Sequence, residues 1–207
     1  MVSTLVCFCI GLTRIRSMIA ELKLLLILTG VSFACDTGAL YHTELNIKVN
    51  YFSDAYRLIE FMLLLTIYYK AFNNSKRLAA FITLALFYML FMAYNIAYVQ
   101  REQINSYTHI VLAAVFIVLA VSFFYKLVKD LPTLELHRMP MFWINVAVLV
   151  YFAGNLFLWI VSHYLVTVMK DKLMVYWSFH NVLSIVKNIL FAVALLVNTR
   201  QAPKALA

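Results

Sequence analysis

Apolar stretches of bilayer-crossing length set the limits on this fold. Residues 51–70, 77–99, 106–127, 141–165 and 173–198 each suffice, since a span takes about 20 residues of helix. Residues 17–34 also qualify, because Glu21 and Lys23 near the start can snorkel to the interface. In lipid a helix satisfies its backbone polar groups within its own segment. The stretch 2–13 is short for a span. It reads as a truncated first helix, a late start site or a dangling amphipathic end. Together these segments predict an all-α polytopic transmembrane helix bundle of six or seven spans, one integral membrane domain over residues 1–207.

Composition agrees. The chain is 65% hydrophobic and 13% charged, against about half and a quarter in soluble domains. The longest polar connection, 126–140, leaves no room for a catalytic or DNA-binding domain. The formal charge of +8 would suggest nucleic acid in a soluble protein. Here the cations sit at the ends of apolar stretches, so the partner they point to is the lipid bilayer, and no nucleic acid.

The distribution of those cations sets topology. One set of connections, with the tail, carries Arg14, Arg16, Lys23, Lys70, Lys76, Arg77, Lys126, Lys129, Arg138, Arg200 and Lys204. The alternate set carries Lys48, Arg101, Lys170 and Lys172. The positive-inside bias places the C-terminus in the cytoplasm, with the chain integral to the cell membrane. With seven spans the N-terminus lies outside.

The punctuation is sparse. Pro132, Pro140 and Pro203 fall outside the spans, and Pro140 suits a helix start. Only Gly30 and Gly154 look intramembrane. No small-xxx-small glycine pair signals a close helix crossing. Cys7, Cys9 and Cys35 form no C-x-x-C pair and read as small apolar residues. Arg14 and Arg16, an apolar run and then Ser32-Phe33-Ala34-Cys35 resemble a cleavable signal. Ser32 and Phe33 fit that poorly, so an uncleaved helix is the expectation and processing at Cys35 the alternative. Asn73-Asn74-Ser75 fits a glycosylation pattern, but on the predicted cytoplasmic side.

Polar residues inside the apolar stretches are the candidates for function. Trp177, His180, Asn181, Ser184, Lys187 and Asn188 recur at helical spacing and predict an inward-facing stripe. By the helical rise, Lys187 lies about 20 Å and Glu60 about 14 Å from the outer ends of their helices. Both are near the bilayer centre. Arg57 and Asp54 follow Glu60 outward on one face. A central charge costs at least about 2.5–3.5 kcal/mol. Glu60 is therefore expected to meet either Lys187 or Arg57. The candidate ligand or ion pocket comprises Arg57, Glu60, Asn155, His163, Trp177, His180, Asn181, Lys187 and Asn188. A purely structural role, fixing helix register, is the competing reading.

Other polar groups have plainer uses. Asn95, Asn145 and Asn155 suit interhelical hydrogen bonds. Tyr51, Tyr98, Tyr107, Trp143, Tyr164, Tyr176 and Trp177 suit the interfacial belt, while Tyr88, Tyr151 and Phe152 suit the interior. His163 and His180 could approach each other near the outer leaflet. With Glu60 or Asp54 they include metal-ligand types. No histidine pair has i, i+3 or i, i+4 spacing, so no metal and no cofactor is expected. No phosphate loop, zinc motif or nucleophile elbow occurs, and the chain reads as non-enzymatic.

Pro140-Met141-Phe142-Trp143-Ile144 opens a helix that continues to Tyr151-Phe152-Ala153-Gly154-Asn155. Trp177-Ser178-Phe179-His180-Asn181 and Lys187-Asn188-Ile189-Leu190-Phe191-Ala192 follow. This last third of the chain resembles a group of short, uncharacterised bacterial polytopic membrane proteins often encoded near sensor histidine kinases. The resemblance implies a signalling setting with a membrane or cytoplasmic partner such as a sensor kinase. It transfers no catalytic residues. The leading expectation is a sensing or scaffold module with a polar pocket in the outer half of the bundle. The first alternative is a small transporter or channel for an ion or small solute. The second is a retinal-binding photoreceptor, since Lys187 in the last helix and Glu60 in the third resemble the opsin plan. Leu183 stands where that family has an acid one turn before the lysine, and its sixth-helix proline is missing.

Overall fold

The computed structural model describes residues 1–44, 50–72, 77–99, 106–130, 135–167 and 173–197. Among these residues the fold is all helical. Seven helices follow in order: α1 (Val2–Arg14), α2 (Ala20–Glu44), α3 (Asn50–Phe72), α4 (Leu78–Tyr94), α5 (Ser106–Asp130), α6 (Pro140–Thr167) and α7 (Leu173–Leu196). A π-helical turn, Asn95–Val99, extends α4. Pro140 opens α6 as expected, where its missing N–H costs little. Neighbours in sequence pack side by side, most extensively α5 with α6 and α6 with α7, and α1 closes the ring against α7.

Among the described residues, five segments are long and apolar enough to cross a membrane: Ala20–Ala39, Leu78–Val99, Ser106–Asp130, Pro140–Val161 and Ser178–Leu196. The 13-residue α1 is apolar but shorter. The 23-residue α3 is long enough, yet carries Asp54, Arg57, Glu60 and Lys70. The first three of these are buried.

The surface is inverted relative to a soluble protein. Leu90 is 71% exposed, Phe157 68% and Val118 64%, while Glu60 is 4% and Lys187 8% exposed. Apolar side chains facing outward over whole helices need an apolar solvent. This is an integral membrane protein. Tyr98 and Tyr107 are exposed close to their helix ends, as an interfacial belt requires.

The core is built around α3. Phe61 stacks on Tyr88 of α4 at 4.0 Å between ring centroids and tilts against Phe116 of α5 at 5.5 Å. Phe116 in turn stacks on Phe152 of α6 at 5.2 Å. The Tyr68 hydroxyl donates to Asn145 Oδ1 at 2.6 Å, and Asn145 Nδ2 donates to the Ala120 carbonyl at 3.0 Å. One asparagine thus joins α3, α5 and α6, the interhelical role expected of it.

Helix ends are closed by cations. Lys126 donates to the Ala71 and Phe72 carbonyls at the end of α3. Arg14 donates to the Leu196 carbonyl at the end of α7. Both satisfy carbonyls that have no partner within their own helix and sit at the negative end of the helix dipole.

Single glycines do what no paired motif announced. A Cβ on Gly154 would come within 2.7 Å of Leu183 Cδ1, and one on Gly30 within 2.8 Å of the Phe8 ring. Each glycine is a hole that receives one large side chain from the adjacent helix. Through Gly30, α1 is seated against α2 and does not dangle. Gly154→Val is expected to lower stability by about 1–3 kcal/mol through overpacking. Adding Leu183→Ala should recover part of that loss. Thermal unfolding in detergent measures both, and a double variant no more stable than Gly154→Val would contradict the seating.

Candidate functional site

Three helices, α3, α6 and α7, meet around one buried ion pair. Glu60 lies midway along α3, and Tyr56 sits one turn earlier on the same face. The Tyr56 hydroxyl donates to Glu60 Oε1 at 3.3 Å. Lys187 of α7 donates to the same oxygen at 3.4 Å. From the other side, Lys187 Nζ stands 3.9 Å from the centroid of the Tyr151 ring of α6. The ammonium is thus held by a carboxylate and a π face.

Of the two partners expected for Glu60, the structure selects Lys187. Arg57 turns to Asp54, one turn away on α3, at 3.1 Å. Arg57 also donates to Thr108 Oγ1 of α5 at 2.8 Å. Two opposite pairs result, each neutral within itself. This is how ionised groups are accommodated in a low-dielectric interior. Above Arg57 and Glu60, the buried Tyr88 hydroxyl has no hydrogen-bond partner among the described residues.

A second polar group lies towards the end of α6 and the start of α7. Asn155 Nδ2 donates to the Tyr151 carbonyl at 2.7 Å, which orients the amide. Its Oδ1 then faces His180 Nδ1 at 2.7 Å. An amide oxygen only accepts, so His180 carries its proton on Nδ1. His180 tilts against Tyr151 and meets the Trp159 ring edge-on, with centroids 6.1 and 6.4 Å apart. Trp159 stacks in parallel on His109 of α5 at 3.6 Å. Aromatic and polar contacts therefore run from α5 through α6 to α7.

The predicted stripe on α7 divides. Lys187 and Asn188 are buried, and His180 and Ser184 half-buried, but Asn181 is exposed. Asn188 is covered by α1, donating to Ser3 Oγ at 3.0 Å and Thr4 Oγ1 at 3.1 Å. Asn181 lies two turns further along the same flank, beyond that cover, and does not face inward. Asn188 accordingly belongs to the α1 contact and not to the group around Glu60. The side chains of His163 and Trp177 lie outside the described residues. Among the described residues, no three His, Cys, Asp or Glu side chains gather as a metal site would require.

Sequence reading missed Tyr56, Thr108 and Trp159, and gave Tyr151 and His109 no part in the site. Tyr56 carried a signal, its i, i+4 spacing to Glu60. Tyr151 carried a similar one, a turn before Asn155. Nothing along the chain pairs Thr108 with Arg57, or His109 with Trp159, because those contacts depend on how α5 is rotated. Against protein-family models, curated proteins and solved structures, the chain has no match.

Glu60 can share protons with Tyr56 and Lys187, which both donate to its Oε1. It can also lock α3 to α7. Removing one charge leaves the other buried without its partner, which costs about 3–5 kcal/mol. Glu60→Gln and Lys187→Met should each destabilise strongly, and the double variant clearly less than their sum. Denaturation in detergent around a double-mutant cycle measures this coupling. Additive losses would mean that the two charges do not interact.

Proposed function

We propose that this chain is a non-enzymatic sensing or scaffold module of a bacterial inner membrane, with its C-terminus in the cytoplasm. In this reading α3 is a span, so the bundle has six crossings, or seven counting α1. The strongly biased Lys and Arg distribution supports the orientation. The observation that carries the function is the Glu60–Lys187 pair across α3 and α7. In this reading it is a joint that can take a second arrangement. Each partner has a substitute at hand, Tyr56 for Glu60 and the Tyr151 ring for Lys187. A charged or hydrogen-bonding ligand entering through the outer polar group competes for one member. That frees α3 relative to α7 and moves their cytoplasmic ends. A ligand shifts such an equilibrium only by its differential affinity for the two arrangements.

The output requires a partner, and the partner class is a sensor kinase contacted through basic cytoplasmic loops that include Lys70 and Lys76. Co-expression with the kinase encoded nearest to the gene tests this. The kinase is expected to co-purify, and its autophosphorylation rate to change severalfold between wild type and the Glu60→Gln/Lys187→Met variant. Lys70→Gln/Lys76→Gln should release it. Absence of both co-purification and any rate change contradicts the reading.

One observation favours a second reading, an ion or proton path. Glu60 Oε1 accepts from both a phenol and an ammonium, the type of relay that intramembrane carboxylates provide in transporters. Proteoliposomes carrying a pH gradient should then leak protons with wild type and not with Glu60→Gln. Equal leak rates remove this alternative.

A further inference from the structure

At one end of the bundle, the end of α3, the start of α4 and the last turns of α5 enclose an open groove of about 630 Å³. That volume falls within the range of about 300–1,000 Å³ common for small-ligand sites. The Phe72 ring forms part of its wall. The Arg77 guanidinium lies 5.1 Å from the centroid of that ring, and Lys126 Nζ 5.9 Å. Lys126 also covers the terminal carbonyls of α3. The negative end of that helix is therefore masked and does not repel an anion. Lys129 adds a third cation, against the single acid Asp130. Arg77 is in addition the N-cap residue of α4, and its side chain makes no capping hydrogen bond there. The positive end of that helix dipole thus lies beside the same cations.

The groove has a direction. Along α5 one row of its lining runs from Val121 through Tyr125 to Lys129, beside Asp130. These positions, four residues apart, share one face of the helix and cover about 12 Å. Val121 and Tyr125 are among the exposed large side chains, Tyr125 at 71%. The lining therefore changes from apolar to aromatic to cationic within two turns. A phospholipid at the membrane interface has the matching profile of acyl chain, glycerol and phosphate. Basic pockets between spans bind anionic headgroups on this physical basis.

We infer that this groove binds the headgroup of an anionic phospholipid with a phosphodiester, such as phosphatidylglycerol. The phosphate lies between Arg77 and Lys129, and an acyl chain follows Val121 and Tyr125. The inference is independent of the signalling reading and of the ion pair at the bundle centre.

Native mass spectrometry of the detergent-purified full chain tests it, with phosphatidylglycerol, phosphatidylcholine and inorganic phosphate as separate probes. Wild type should retain phosphatidylglycerol in preference to phosphatidylcholine. Arg77→Gln/Lys129→Gln should weaken that retention about tenfold or more, at about 1 kcal/mol per basic residue. Lys126 is left intact because it caps α3. Inorganic phosphate should not compete, which separates a lipid from a free anion. A second measurement uses the unaltered protein. Phosphatidylglycerol should shield Lys129, and not the exposed Lys70, from an amine-acylating reagent. Equal retention of both lipids, retention unchanged by the double variant, displacement by phosphate, or Lys129 labelled as fast with phosphatidylglycerol as without it each overturns the assignment.

Discussion

The fold depends on where lipid allows charge to go. Two cations, Arg57 and Lys187, lie away from the basic ends of the apolar stretches. Each is matched by an acid on α3, Asp54 and Glu60 respectively. A single charge at the bilayer centre costs a few kcal/mol or more. Two neutral pairs reduce that cost, provided that protein surrounds them. This requirement puts α3, the helix least able to face lipid, among the others. The charged face of α3 turns towards α5 and α7, while Ile59 and Thr66 on its other side are exposed like the apolar side chains of its neighbours.

Packing follows from that placement. Phe61, between Tyr88 and Phe116, lies one residue from Glu60, so the charged layer sits directly on the aromatic one. Below it, Tyr68 reaches Asn145 and fixes α3 to α6 and, through Ala120, to α5. Cations on the last carbonyls of α3 and α7 close the basic end. The central pair is the charged joint between α3 and α7 in a bundle also held by Arg57–Thr108, Tyr68–Asn145 and Asn188–Thr4 hydrogen bonds, interdigitated rings and single-glycine seats. Such a joint suits a module that transmits a small rearrangement. The aromatic and polar contacts from His109 to His180 lie next to it, towards the start of α7.

Much of this was legible along the chain. Spacing and hydropathy located the long helices, and depth narrowed the partner of Glu60 to Lys187 or Arg57. Intramembrane Asn145 and Asn155 were recognisable because polar groups in hydrocarbon need partners. The missing parts are those set by rotation and by neighbours. Asn181 and Asn188 occupy one flank of α7 at helical spacing. Only the position of α1 separates a buried asparagine from an exposed one. Gly154 and Gly30 carried no paired motif, since each receives a side chain and not another backbone. The stack of His109 on Trp159 joins residues of α5 and α6 that nothing in the sequence relates. α3 looked like an ordinary span by length, and its three buried charges become intelligible only once α5 and α7 are beside it.

The central claim is that Glu60 and Lys187 hold each other in the middle of the membrane. The direct measurement is a charge exchange, reading folded yield and melting temperature in detergent for Glu60→Lys, Lys187→Glu and the two together. Each single exchange places two like charges face to face and should abolish folding or lower the melting temperature sharply. The combined exchange restores opposite charges and should recover most of both. A combined variant as impaired as the single ones would contradict the pairing and, with it, the placement of α3 inside the bundle.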